Sequence, residues 1–236
     1  MKINIYTEVC CNSFESAIAA EKGGAYRIEL CENLSEGGTS PSFVTLKMVL
    51  RETKIPTHVL IRPRAGNFIY TDEEMKIMIR EIRVAKKLGA AGIVVGCLDE
   101  NGNIDLKKMK LLKKEAKNLS VTFHRAFDFV KNPFDALEQI IDLGCDRILT
   151  SGQKKSALEG SDLLKKLIDK SAGRIIIMPG AGINSENILD LKNKTGATEF
   201  HFSASKKIVD KTEPFDLSRT VTDEEEVSRI VKLLNR

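Results

Sequence analysis

The sequence predicts an α/β fold, a single (β/α)8 TIM-type barrel spanning residues 1–236 as one domain. Three observations predict it. Short β-rich runs alternate with longer helical patterns eight times, the rhythm of a closed parallel sheet. The strand candidates alternate apolar and polar side chains with period two. The length, 236 residues, suits one barrel.

Strands are expected at 3–9, 25–30, 57–62, 92–96, 120–124, 146–149, 174–178 and 199–202. Helices are expected near 13–22, 42–53, 72–88, 105–117, 133–143, 155–170, 184–193 and 223–235. Thr71 or Asp72 is placed to cap the third helix. For the last, Thr222 followed by Glu225 reads as a capping box, and Val227, Ile230, Val231 and Leu234 form one apolar stripe. Gly23-Gly24, Gly89, Gly144 and Gly196 mark helix ends. An open doubly wound sheet is the alternative fold. No dinucleotide fingerprint follows the first strand to support it.

Parity assigns the faces. Ile28 and Leu30 alternate with Arg27, Glu29 and Cys31; Val59 and Ile61 with His58, Leu60 and Arg62. Val121 and Phe123 alternate with Thr122 and His124; Phe200 and Phe202 with Glu199, His201 and Ser203. The apolar set is expected to face the helices and the polar set to point into the barrel. Inward charges are costly unless paired, so these groups are expected to form one network.

Composition excludes several classes. Hydrophobic residues are 42% and charged residues 30%, values of an ordinary globular chain. No apolar run approaches the roughly 20 residues that span a bilayer, and the first residues lack the apolar stretch of a secretion signal. A cytoplasmic location is expected if the source is bacterial. The net charge of +4 is scattered over helix-like segments, and no basic–aromatic platform appears, so nucleic acid is not an expected partner. Five cysteines without a C-x-x-C pair argue against a disulfide framework or a zinc ribbon.

The residues with chemistry fall at strand ends. Glu8 and Cys10 share one face, as do Glu29 and Cys31 one strand later. Neighbouring strands lie ~4.8 Å apart, so the four can meet; two thiolates there suit Cu(I), while two small buried cysteines beside structural carboxylates is the plainer reading. Arg62 and Arg64, in Arg62-Pro63-Arg64-Ala65-Gly66, suit an anion, or Arg62 neutralises Glu8 or Glu29. Residues 67–71 form a candidate lid. His124 is a candidate general acid/base, with Asp128 orienting it or pairing with Arg125. Thr150-Ser151-Gly152-Gln153 offers donors or a plain helix entry. Gly180 and Gly182, before a helix expected to begin near Asn184 or Ser185, form a candidate anion cradle. His201 and Ser203 lie nearby, and Lys206 to Val221 reads as a long loop over the mouth.

Together these motifs resemble the CutC family, named for copper homeostasis. The likeness runs from Glu8 to about Ser205. It rests on Glu8-Val9-Cys10, Arg27-Ile28-Glu29-Leu30-Cys31, Gly37-Gly38, Pro41-Ser42, Ile61-Arg62-Pro63-Arg64, Thr122 through Asp128, Arg147 through Gly152, Met178-Pro179-Gly180 and His201. It departs at Thr39-Ser40, where the family has Leu-Thr, and at Ala181, where it has Gly. The resemblance implies a cytosolic barrel, often a homodimer or higher homo-oligomer. It also implies a Cu(I) role for Cys10 and Cys31.

Two functions are therefore expected. One is copper homeostasis, with Cu(I) as ligand at Cys10 and Cys31 and no organic cofactor. The other is a barrel enzyme, a hydrolase, lyase or isomerase, acting on a small anionic or phosphorylated metabolite. In that reading Glu8 or Glu29 exchanges protons with His124, these three being the candidate catalytic residues. Arg62, Arg64, Arg125, Ser151, Gly180, Gly182, His201 and Ser203 hold the substrate.

Overall fold

The computed structural model describes residues 4–214 and 217–235. The expected positions 1–3, 215–216 and 236, including the first residue of the first predicted strand, lie outside the described residues. Strands and helices alternate as β1 (Tyr6–Cys11), α1 (Phe14–Lys22), β2 (Arg27–Leu30), α2 (Phe43–Glu52), β3 (Thr57–Leu60), α3 (Asp72–Leu88), β4 (Gly92–Val95) and α4 (Leu106–Ala116). They continue as β5 (Ser120–Phe123), α5 (Pro133–Asp142), β6 (Arg147–Thr150), α6 (Ser161–Ser171), β7 (Ile176–Pro179), α7 (Ile188–Thr195) and β8 (Glu199–Phe202). A hairpin, β9 (Ser205–Ile208) and β10 (Arg219–Thr222), precedes α8 (Glu224–Leu234).

The eight parallel strands run in the order β7-β6-β5-β4-β3-β2-β1-β8. A parallel bridge between Gly180 and His201 joins the two ends of that order and closes the ring. Parity behaves as expected. Val9, Ile28, Leu30, Val59, Ile61, Val121, Phe123, Phe200 and Phe202 belong to the core between strands and helices. Burying each large apolar side chain there contributes roughly 1.5–3 kcal/mol. Cys10, Cys31, Leu60 and Val94 form a separate apolar cluster inside the ring. Cys11, one residue on from Cys10, is in the outer core, as period two requires.

Local chemistry fixes several ends. Thr71 caps α3 in a full capping box with Glu74. The cap of α8 differs from the expected one. Thr222 ends β10, and Asp223 caps the helix by accepting the Glu225 amide. The long loop after β8 is also corrected: it contains the antiparallel hairpin β9–β10, which aligns Ser205 with Thr222. Two helices start later than their apolar pattern predicts. α6 begins at Ser161 and α7 at Ile188. The residues before them turn without helical continuity, so no helix begins at Asn184 or Ser185.

Candidate functional site

The barrel interior is layered by register. Glu8 pairs in register with Arg27 on one side and His201 on the other; Cys10 pairs with Glu29, and Glu29 with His58. The lower layer is an ion-pair network. Arg27 Nε bonds Glu8 and its Nη2 donates to Glu199 at 2.7 Å. Arg147 donates to the same Glu199 at 2.7 Å and to Ser120 Oγ at 2.7 Å. Arg27 also reaches Met178 Sδ at 3.6 Å. Burial opposes ionisation of Glu8, but Arg27 and the hydrogen bond with His201 outweigh it and hold its carboxyl well below the usual range. Burial likewise opposes charge on Arg27, and Glu8 and Glu199 more than compensate.

Above this floor lies a cavity of about 270 Å3 at the C-terminal ends of the strands. His201 links the floor to it. Its Nδ1 lies 2.9 Å from Glu8 and its Nε2 3.7 Å from Glu29. Burial works against the imidazolium, yet Glu29 and Glu8 raise the His201 pKa. Burial, supported by the charge on Glu8, raises that of Glu29. Cys10 and Cys31 are 3.6 Å apart through their sulfurs. Cys10 lines the cavity; Cys31 is fully buried. Their mutual hydrogen bond and burial push the Cys10 thiol up. All five cysteines are free.

His124 lies across the mouth. Its Nδ1 accepts the Ala126 amide at 3.2 Å, so the ring proton belongs on Nε2. Nε2 has no hydrogen-bond partner among the described residues. Burial and the nearby Arg62 charge push its pKa down to about 3, leaving the ring neutral. Phe68 packs on it, with ring centres 4.8 Å apart. This places Phe68, from the expected lid segment, on the cavity wall.

The structure gathers eight of the predicted site residues around the cavity: Cys10, Glu29, Arg62, His124, Arg125, Gly182, His201 and Ser203. The others lie elsewhere. Glu8 is beneath the floor of the cavity and Cys31 behind Cys10. Gly180 packs against Leu149 and His201, where an added Cβ would sit 2.5 Å from Leu149 Cδ1. Arg64 is turned to the loop and α3, bonding Glu74 and the carbonyls of Asn67 and Ile69. Ser151 bonds Asp128 and the Lys154 carbonyl.

Two pairings left open by the sequence are resolved. Arg62 pairs with neither Glu8 nor Glu29; it donates to the carbonyls of Glu36, Gly38 and Gly66. Asp128 pairs with Arg125 at 2.8 Å and accepts the amides of Ser151 and Gln153, so it does not orient His124. Sequence reasoning missed Gly92 and Gly96. A Cβ on Gly92 would meet His58 Nε2 at 2.6 Å, and one on Gly96 would meet His124 Nδ1 at 2.5 Å. These inward glycines of the fourth strand region make room for both imidazoles. Their spacing of four on the inward parity was the available signal.

Three of the donors are grouped as a metal ion's ligands would be. One ligand atom each from Cys10, Glu29 and His201 lie within 4.8 Å of one another. Glu8 on His201 Nδ1 orients its Nε2 as carboxylates do for metal-binding imidazoles.

The fold and this cavity define an eight-stranded β/α barrel with a mixed thiol, imidazole, carboxyl and arginine mouth. The chain belongs to the CutC family, whose sequence profile matches residues 5–206. It is 52% identical over 208 residues to a CutC family protein of Bacteroides fragilis, covering 87% of this chain and 82% of that one. It is also 52% identical over 197 residues to the human copper homeostasis protein cutC homolog, covering 84% and 72%. The crystal structure of the putative copper homeostasis protein CutC of Streptococcus agalactiae superposes with TM-score 0.80 at 33% identity, covering 84% of this chain and 98% of that one. A phosphoribosylanthranilate isomerase of Thermotoga maritima, 14% identical with TM-score 0.62 over 98% of both chains, shares the fold alone. No helix among the described residues is long and apolar enough to cross a membrane.

Proposed function

We propose that this chain serves copper homeostasis by binding Cu(I) through Cys10 and Cys31. The 3.6 Å approach of the two sulfurs, one of them on the cavity wall, carries the reading. Thiolates select soft monovalent copper, and imidazole is a compatible neighbour. His201 and Glu29 stand beside Cys10 as further donors. The raised Cys10 pKa means that the metal-free site holds its protons, so binding releases them. The names of the human and streptococcal relatives agree with this role. Five free, buried cysteines suit a reducing cytoplasm.

Titration of the reduced chain with Cu(I), in competition with a strong chelator, tests the assignment. One equivalent is expected to be retained, and replacing Cys10 and Cys31 together by serine is expected to abolish retention. Equal binding by that double variant would falsify the site.

A further inference from the structure

The cavity has a second wall that the copper reading leaves unused. Cys10, Glu29 and His201 come from β1, β2 and β8. His124 and Arg125 follow β5, across the ring from β1, and Gly182 and Ile183 follow β7, which neighbours β8 through the Gly180–His201 bridge. This wall is rich in donors without partners. His124 Nε2 carries the ring proton, is buried, and bonds nothing among the described residues. A buried donor left unpaired is costly unless a ligand meets it. Arg125 uses Nε on Asp128 and Nη2 on Ser151, which leaves Nη1 free on a side chain 43% exposed. The Gly182 and Ile183 amides make no hydrogen bond among the described residues. Ala181 and Gly182 both have left-handed backbone, φ 88 and 69, which turns the chain sharply at the cavity edge. Ser203, just past β8, lines the cavity, and its hydroxyl has no hydrogen bond among the described residues. Among the described residues the carboxylate bordering the cavity is Glu29, on β2, and it faces His201 Nε2 at 3.7 Å.

We infer that this second wall binds a small phosphomonoester. Arg125, the Gly182 and Ile183 amides and the Ser203 hydroxyl take the phosphate oxygens; His124 Nε2–H donates to an oxygen on the carbon chain. A cation, backbone amides and a hydroxyl brought to one cavity from separate elements suit a tetrahedral group with several acceptor oxygens better than a planar carboxylate. Barrels commonly bind phosphate with the loops after their seventh and eighth strands. The cavity volume, about 270 Å3, falls below the roughly 300–1,000 Å3 of drug-sized sites, so the ligand is small.

Calorimetric titration of the whole chain with dihydroxyacetone phosphate, inorganic phosphate, dihydroxyacetone and pyruvate tests the inference. Dihydroxyacetone phosphate is expected to bind more tightly than phosphate alone, and dihydroxyacetone not to bind. Arg125→Gln is expected to weaken phosphate-bearing probes about tenfold. Arg174→Gln, an exposed control paired with Glu138, is expected to change nothing. If Arg125→Gln does not fold, nitrogen-15 NMR of labelled histidines in the unaltered chain decides. The His124 Nε2–H resonance is expected to move with dihydroxyacetone phosphate and not with dihydroxyacetone. An unmoved His124, absent binding of every phosphate probe, or pyruvate binding as tightly as dihydroxyacetone phosphate would each overturn the site.

Discussion

The floor and the mouth of the barrel are built from the same inward parity, yet they differ in one respect. On the floor, Arg27 and Arg147 share Glu199, Arg27 also holds Glu8, and Arg147 reaches Ser120. Each charged group there has found protein partners. At the mouth, His124 Nε2 and the Gly182 and Ile183 amides have none among the described residues, and two thiols have only each other and nearby carboxyl chemistry. Buried polar groups in native proteins are nearly always paired. A layer whose charges are all paired reads as scaffold, even though the neutral His58 Nδ1 and Thr122 Oγ1 inside the barrel also lack hydrogen-bond partners among the described residues; unpaired donors beside a cavity read as a place for something else.

The largest expected effect breaks the floor. Arg27→Ala leaves Glu8 and Glu199 buried with lost partners. A destabilisation of about 3–5 kcal/mol is expected from removing one member of a buried ion-pair network. Urea unfolding measures it. A loss below about 1 kcal/mol would show that the floor is not held by this network.

A smaller effect sharpens the contrast through pH. Burial depresses His58 to about 4 and His124 to about 3, from an ordinary 6.5. In the unfolded chain both take up a proton below about 6.5, whereas in the fold they stay neutral. Stability is thus expected to fall as pH drops from about 6.5 toward 4, on the order of 1.4 kcal/mol per pH unit for each ring. His201 acts oppositely, because its raised pKa adds stability at low pH that is lost as pH rises through the folded value. The difference between the unaltered chain and His124→Gln isolates the one ring. Unfolding at pH 7 and pH 5 is expected to show a penalty about 2 kcal/mol smaller in the variant. An equal penalty in both proteins would mean that His124 titrates normally in the fold.

The smallest effect concerns Arg64, which the motif placed with the ligand residues and the structure places on a loop. Its partly exposed pair with Glu74 is expected to contribute no more than about 1 kcal/mol. Arg64→Ala should leave Cu(I) retention unchanged while slightly lowering the unfolding midpoint. Loss of copper retention in that variant would move the functional boundary out to the loop.

The barrel and its inward set were legible because period-two parity is local. Whether a residue at position 27, 29, 62 or 124 faces inward follows from its neighbours in the chain. The glycines of the fourth strand region obey the same parity, although their purpose shows only when His58 and His124 stand beside them. The cap of α8 was displaced by one residue because β10 claims Thr222, a partner that no local pattern announces.

What the sequence alone determined, then, was the closed ring, the facing of its side chains and the family. Tertiary structure alone decided which inward groups are already engaged. Arg27 meets Glu199 across 172 positions of chain, and Arg62 finds loop carbonyls instead of Glu8 or Glu29. Saturation depends on partners brought together by closure of the ring, and a one-dimensional pattern carries no record of that distance.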